Sequence, residues 1–242
     1  MAKSQPALDA VRPPPAGSPL RSAPPPPPAR ARRLLVPAAV ALGLVPLAKI
    51  GVDALAGGLG AEPVQVVLNR LGFWALTFLT LSLAPTPAKA LLGITWPMRV
   101  RRTVGLLAFG YASLHLAFYA GIDKFLDLAE IWKDVTTRRF QAVGLATLLL
   151  LAPLAVTSTD GWVRRLGFAR WKRLHRLVYA ASVLAVVHFA WRVKADLRRP
   201  LLYAAAVAVL LLLRLVPALR RLRARRSPAG GRGAPPAAAG TS

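Results

Sequence analysis

Residues 170–193 read RWKRLHRLVYAASVLAVVHFAWRV, a basic entry followed by an apolar run that carries two of the chain's three histidines, His175 and His188. The third, His115, lies in TVGLLAFGYASLHLAFYAGI, residues 103–122. Both runs are continuous rather than alternating, so they read as membrane-crossing helices and not as strands of a barrel. An imidazole is costly to leave unpaired in hydrocarbon, which makes each of these histidines a candidate functional residue. Working outward, apolar blocks fall at about 34–52, 66–84, 103–122, 140–157, 174–191 and 200–217. About 20 residues of helix span the hydrocarbon layer. The expectation is an all-α, polytopic transmembrane bundle of six helices.

The chain has 242 residues, 55% of them hydrophobic, yet its 33 Lys and Arg against 9 Asp and Glu give a net charge of +24. That charge would suit nucleic acid if it were gathered on one soluble face. Instead the basic residues sit in the links between apolar blocks. With the N-terminus inside, the inner segments hold 23 of them and the outer links 10. This positive-inside pattern predicts both termini in the cytoplasm, anionic membrane lipids as partners of the loops, and no nucleic acid. Cysteine is absent, which excludes disulfides, thiolate metal sites, iron–sulfur clusters and covalent haem attachment.

Residues 1–33 form a Pro-rich extension with no means of burying a core, expected to be disordered and cytoplasmic. The run after Arg32 and Arg33 imitates a secretory signal, but it is long for one and is expected to stay as the first helix, distorted by Pro37 and Pro46. The bundle domain is expected over 34–218 and a basic flexible tail over 219–242. The outer link 121–140 is expected to include a short interfacial helix anchored by Trp132. No internal repeat is evident, and no phosphate loop, dinucleotide fingerprint or H-E-x-x-H motif occurs. No catalytic residue is expected in this chain.

The histidine spacing narrows the chemistry. His175 and His188 are 13 residues apart, roughly 20 Å along one helix. His115 should lie at the depth of His188 on a parallel helix, so the two imidazoles can face each other across a flat cofactor, as in bis-histidine haem b. Ala112 and Ala108, and Ala185 and Ala181, precede them on the same faces and leave room. A zinc site is disfavoured by the distance to His175, and a proton relay by the lack of mid-helix carboxylates. At the depth of His175 stand Arg101 and Arg102, suited to haem propionates or a flavin phosphate, or else to anchoring at the inner surface. Hydrogen-bonding histidines in a cofactor-free small transporter or membrane anchor are the rival class.

Four stretches carry a family resemblance: GLGAEPV (58–64), RRTVGLLAFGYASLHL (101–116), TRRFQAVGLATLLLLAPLAVTST (137–159) and WKRLHRLVYAASVLAVVHFAW (171–191). The Leu114-His115 pair, the W-x-x-L-H-x-x-x-Y at 171–179 and the H-x-x-W at 188–191 are its most specific parts. Over about residues 40–220 the chain resembles the MsrQ (YedZ) family, within the ferric-reductase-like transmembrane group. The resemblance implies six helices in a bacterial inner membrane, haem b ligated by His115, His175 and His188, and FMN as a further cofactor. It implies electrons drawn from the quinone pool and passed to a periplasmic, molybdenum-dependent methionine sulfoxide reductase of the MsrP type, which repairs oxidised proteins. The broader group commonly has a fourth histidine where Arg101 and Arg102 stand. A sister cytochrome b delivering electrons to ferric iron or another acceptor would share the same helices.

Overall fold

The computed structural model describes the backbone of residues 29–193 and 196–226, with side chains for 34–193 and 196–214. The expected N-terminal extension up to residue 28 and the tail from 227 lie outside the described residues. Those described are helical, without strands. In chain order the helices are α1 (Ala29–Leu55), α2 (Pro63–Leu83), α3 (Pro85–Leu92), α4 (Pro97–Phe118), α5 (Leu128–Thr137), α6 (Arg139–Val156), α7 (Asp160–Leu166), α8 (Phe168–Leu174), α9 (Leu177–Arg192) and α10 (Arg198–Arg226), with a π-helical turn at Tyr119–Asp123.

Proline sets several of these starts. Pro63, Pro85 and Pro97 each open a helix, where the missing N–H is not needed and the fixed φ already suits the turn. Ala84 is itself in the helical region, so α3 follows α2 with hardly a break instead of ending it in a loop. Pro37 and Pro46 lie inside α1, which is continuous through both. The α1 backbone begins at Ala29, ahead of the expected start at 34, and α10 runs to Arg226, beyond the expected end at 218.

Among the described residues, five segments are long and apolar enough to cross a membrane: Leu34–Leu55, Pro63–Leu92, Pro97–Asp123, Arg139–Val156 and Phe168–Arg192. The sixth expected block lies on α10, which packs against α9 and α2. One expected helix is broken. Residues 174–191 were to be continuous, but α8 ends at Leu174 and α9 begins at Leu177, with His175 in the joint. There the Arg176 N–H bonds the Arg173 carbonyl, a tighter turn than the α-helix.

Two antiparallel hairpins make the centre: α2 lies along α4, and α6 along α9. They meet through α4 against α6 and α2 against α9, while α1 flanks α4 and α10 flanks α9. The buried centre includes Leu71, Phe78, Leu79, Tyr111 and Leu151, together with Ala108 and Ala181 at 0% exposure. In a bilayer, helices gain nothing from leaving lipid, so close approach of small residues and dispersion contacts must hold them. Gly43 shows this closeness: a Cβ there would meet the Leu107 side chain at 2.3 Å. Tyr111 also ties α4 to α1 by donating to the Gly43 carbonyl at 2.7 Å.

The expected interfacial helix is α5. Asp127 caps it, accepting from the Ala129 and Glu130 N–H groups at 2.9 and 3.0 Å, and Trp132 is exposed. Its inward residue is Asp134, which accepts from Tyr119 Oη at 2.8 Å and pairs with Lys124 and Arg138, each at 3.2 Å. Burial works to raise the Asp134 pKa, but Tyr119, Lys124 and Arg138 outweigh it and hold the carboxyl below its ordinary value of 3.8. Lys124 is correspondingly raised, chiefly by its ion pair with Glu130. A depressed carboxyl contributes stability above its unfolded pKa and loses it as pH falls through the folded value. Asp134→Ala should therefore cost on the order of 2 kcal/mol at neutral pH and open residues 119–138 to protease. The penalty should fade as the pH falls below the ordinary aspartate range. An unchanged digestion pattern at neutral pH would contradict this role for Asp134.

Candidate functional site: two histidines seated on glycines

The two hairpins bring His115 of α4 and His188 of α9 together. Their ring centroids are 6.3 Å apart, with the ring planes at 82°. Each ring is fixed from behind by the partner helix of its own hairpin. His115 Nδ1 lies 2.9 Å from the Leu68 carbonyl on α2, and His188 Nδ1 lies 2.7 Å from the Phe140 carbonyl at the start of α6. A carbonyl can only accept, so each Nδ1 carries its proton and each Nε2 keeps a lone pair. Neither Nε2 has a hydrogen-bond partner among the described residues.

The room for these rings comes from two glycines. A Cβ on Gly72 would lie 3.3 Å from His115 Cε1, and one on Gly144 would lie 2.7 Å from both Cε1 and Nδ1 of His188. The carbonyl and the glycine belong together. In an α-helix the carbonyl of residue i accepts the N–H of residue i+4, and Gly72 and Gly144 are four residues after Leu68 and Phe140. A glycine at that place uncovers the carbonyl's second lone pair, and the imidazole lies over it. The two hairpins repeat the device, with 43 residues from Gly72 to His115 and 44 from Gly144 to His188. A positional repeat therefore exists where none was evident in the sequence. Residue identities around it differ, and the matched spacing of Leu68, Gly72, His115 and Phe140, Gly144, His188 was the only signal available.

Both rings line a cavity of about 1650 Å³ walled mainly by α2, α4, α6 and α9, with α1 and α5 contributing. Ala108, Ala112 and Ala185 are in its wall, as their spacing suggested, whereas Ala181 is fully buried and does not line it. A metal-bound imidazole nitrogen lies roughly 2 Å from the ion, as in zinc sites. It sits about 1 Å from its own ring centre, so opposed imidazoles on one ion have centroids about 6 Å apart. The 6.3 Å spacing fits that arrangement. Among the described residues no group of three or more His, Cys, Asp or Glu side chains gathers as a metal cage. The pair could hold a metal ion only together with ligands from outside these side chains.

His175 is not part of this pair. Its ring lies against Trp171 at 4.1 Å between centroids, and its Nε2 is 3.1 Å from Thr157 Oγ1. The Thr157 hydroxyl gives its one proton to the Pro153 carbonyl at 2.6 Å, so it accepts from His175 Nε2–H. His175 therefore holds the opposite tautomer from His115 and His188. Trp171 Nε1 donates to the Thr157 carbonyl at 3.0 Å and completes the cluster. Arg101 and Arg102 occupy this end of the molecule. Arg102 is paired with Asp160 at 2.9 Å and is partly exposed, and Arg101 reaches Thr86 Oγ1 at 3.4 Å.

Comparison with known proteins gives this geometry a family. A family model described as "Ferric reductase like transmembrane component" matches residues 71–186. The "Protein-methionine-sulfoxide reductase heme-binding subunit MsrQ" of Rhodospirillum rubrum is 54% identical over 185 residues, 76% of this chain and 89% of that protein. The proteins of the same name from Deinococcus radiodurans and Caulobacter vibrioides are 50% and 47% identical, covering 95% and 87% of those proteins and 79% and 76% of this chain. The chain belongs to the MsrQ family. Family membership and the five apolar segments make it a multi-pass membrane protein, consistent with an inner-membrane location.

The glycine seats give an unequal prediction for two like substitutions. Gly144→Ala drives a methyl group into the His188 ring, whereas Gly72→Ala asks His115 to yield by a few tenths of an ångström. Overpacking of this kind costs about 1–3 kcal/mol. Gly144→Ala should lower the melting temperature of detergent-purified protein clearly more than Gly72→Ala. Equal effects would mean that the rings are not seated as described.

Proposed function

We propose that the chain is a membrane cytochrome b subunit, non-catalytic itself, that passes electrons from the quinone pool to a periplasmic, molybdenum-dependent methionine sulfoxide reductase. The observation that carries this reading is the His115–His188 pair. Two neutral imidazoles keep Nε2 without a hydrogen-bond partner, their centroids at the spacing one iron needs, on the wall of a cavity also lined by small residues such as Ala108, Ala112 and Ala185. Haem b, when bound, supplies the one-electron redox change. The chain's part is to hold the two ring planes, exclude water with Leu76, Leu79, Leu148 and Leu151, and set the potential through its ligands and burial. The three named relatives are haem-binding subunits by name, which supports haem here.

The finer assignments are part of the same proposal. Six spans, with α10 as the last and both termini cytoplasmic, place His115 and His188 toward the periplasmic side, near the acceptor. The basic loops at the other side then meet anionic lipid. His175 ligates or supports an inner cofactor; with its Nε2 engaged by Thr157, Nδ1 is the nitrogen that keeps a lone pair. FMN as that second cofactor, with Arg101 and Arg102 near its phosphate, rests on the family resemblance alone.

The test is a reduced-minus-oxidised visible spectrum of detergent-purified protein expressed with ample haem. A b-type spectrum is expected in the wild type, lost in both His115→Ala and His188→Ala, and retained in His175→Ala. A colourless wild type would contradict the electron-transfer reading. Loss only in His175→Ala would move the iron to the other end of the molecule.

A further inference from the structure

The cavity that holds the histidine pair is polar at one end only. Toward Leu76, Leu79, Ala108, Leu148 and Leu151 its wall is apolar. Toward the end where α2 and α6 begin and α4 and α9 finish, the wall gains Gln65, Asn69, Arg70, Tyr119, Arg138 and Arg192. A macrocycle ligated by His115 and His188 would stand across the line between them, with one edge toward the apolar end and the opposite edge toward the polar end.

The cations at the polar end are not equivalent. Arg138 is paired with Asp134, and Arg70 and Lys49 with Asp53. Neither Arg192 nor Arg199, which also lines this end, has an acidic partner among the described residues, but Arg199 is exposed whereas Arg192 is held in place. Its guanidinium Nη2 donates to Gln65 Oε1 at 2.9 Å and Asn69 Oδ1 at 3.0 Å, both neutral amides on α2. It is partly buried and lies four residues after His188, one turn further along the same face of α9. Arg192 makes no ion pair of its own, since Asp123 reaches it only through Gln65 Nε2 at 3.5 Å, and its planar fork at the cavity wall suits a carboxylate.

We propose that Arg192, positioned by Gln65 and Asn69, receives a propionate of the haem held by His115 and His188. The inference rests on the haem reading and sets this contact at the opposite end of the molecule from Arg101 and Arg102. Arg102 is already engaged with Asp160. The macrocycle's carboxylate edge then faces the polar end and its hydrocarbon edge the leucines.

The test is a cycle between the side chain and the propionates. Full-length apoprotein in detergent, as wild type, Arg192→Gln and Arg101→Gln, is titrated with haem b and with its dimethyl ester. Wild type should bind the free acid about tenfold or more tighter than the ester, the range for a hydrogen bond to a charged group. Arg192→Gln should lose that preference, and Arg101→Gln should keep it. The midpoint potential of bound haem should also fall in Arg192→Gln, because the lost cation had stabilised the electron-rich state, and recover in Arg192→Lys. Should Arg192→Gln fail to fold, Asn69→Ala frees one of the two anchors and should show a smaller loss of preference. Preference retained in Arg192→Gln but lost in Arg101→Gln would overturn the proposal, as would equal binding of acid and ester by a wild type with an intact b-type spectrum. Failure of wild type to bind either porphyrin would instead strike the haem reading itself.

Discussion

The site depends on a hydrogen bond made twice, from an imidazole Nδ1–H to a carbonyl already serving its own helix. Each bond settles a tautomer, and the tautomer settles which nitrogen remains for a metal. Each also has a glycine four residues further on, where a side chain would crowd the ring at Gly72 and overlap it at Gly144. The α2–α4 and α6–α9 contacts are close for the same reason. Small residues at the crossing let the backbones approach, and approach brings the carbonyl within reach of the ring. Helix packing and ligand orientation are here one constraint.

This constraint separates the two ends of the molecule. At the α5 end, paired charges around Asp134 and Asp53 close the links between helices, and Arg192 remains directed at amides beside the cavity. At the other end, His175 is held by Thr157 and Trp171 in a joint between two helices. Arg214 of α10 lies over Tyr179 and donates to its hydroxyl at 3.0 Å, while its buried Nε has no partner among the described residues. The histidines are thus of two kinds. Two are presented to a cavity, and one is built into a wall.

Much of this was legible in the sequence because apolar period and histidine depth are one-dimensional properties. Uninterrupted apolar blocks predict membrane helices, and counting back from the helix ends places His115 level with His188. The break at His175 was hidden because WKRLHRLVY is compatible with helix throughout, and only tertiary contacts with Thr157 and Trp171 distinguish a joint from a continuous turn. Gly72 and Gly144 are two of 18 glycines, and a seat for a ring on another helix leaves no local pattern. The direction of Arg192 toward Gln65 and Asn69 depends on how α2 and α9 cross. The depth of Arg101 and Arg102 says nothing of the partner that Asp160 provides for Arg102.

A haem bound as proposed would take its two protein ligands from His115 and His188, whose ring planes lie at 82°. Electron paramagnetic resonance of the oxidised, haem-loaded protein reads that angle directly, because the ligand planes set the splitting of the iron d orbitals. Nearly perpendicular imidazoles predict a low-spin signal of the highly anisotropic, large-gmax type. A rhombic signal characteristic of parallel imidazole planes, or a high-spin signal from a single axial histidine, would contradict the account.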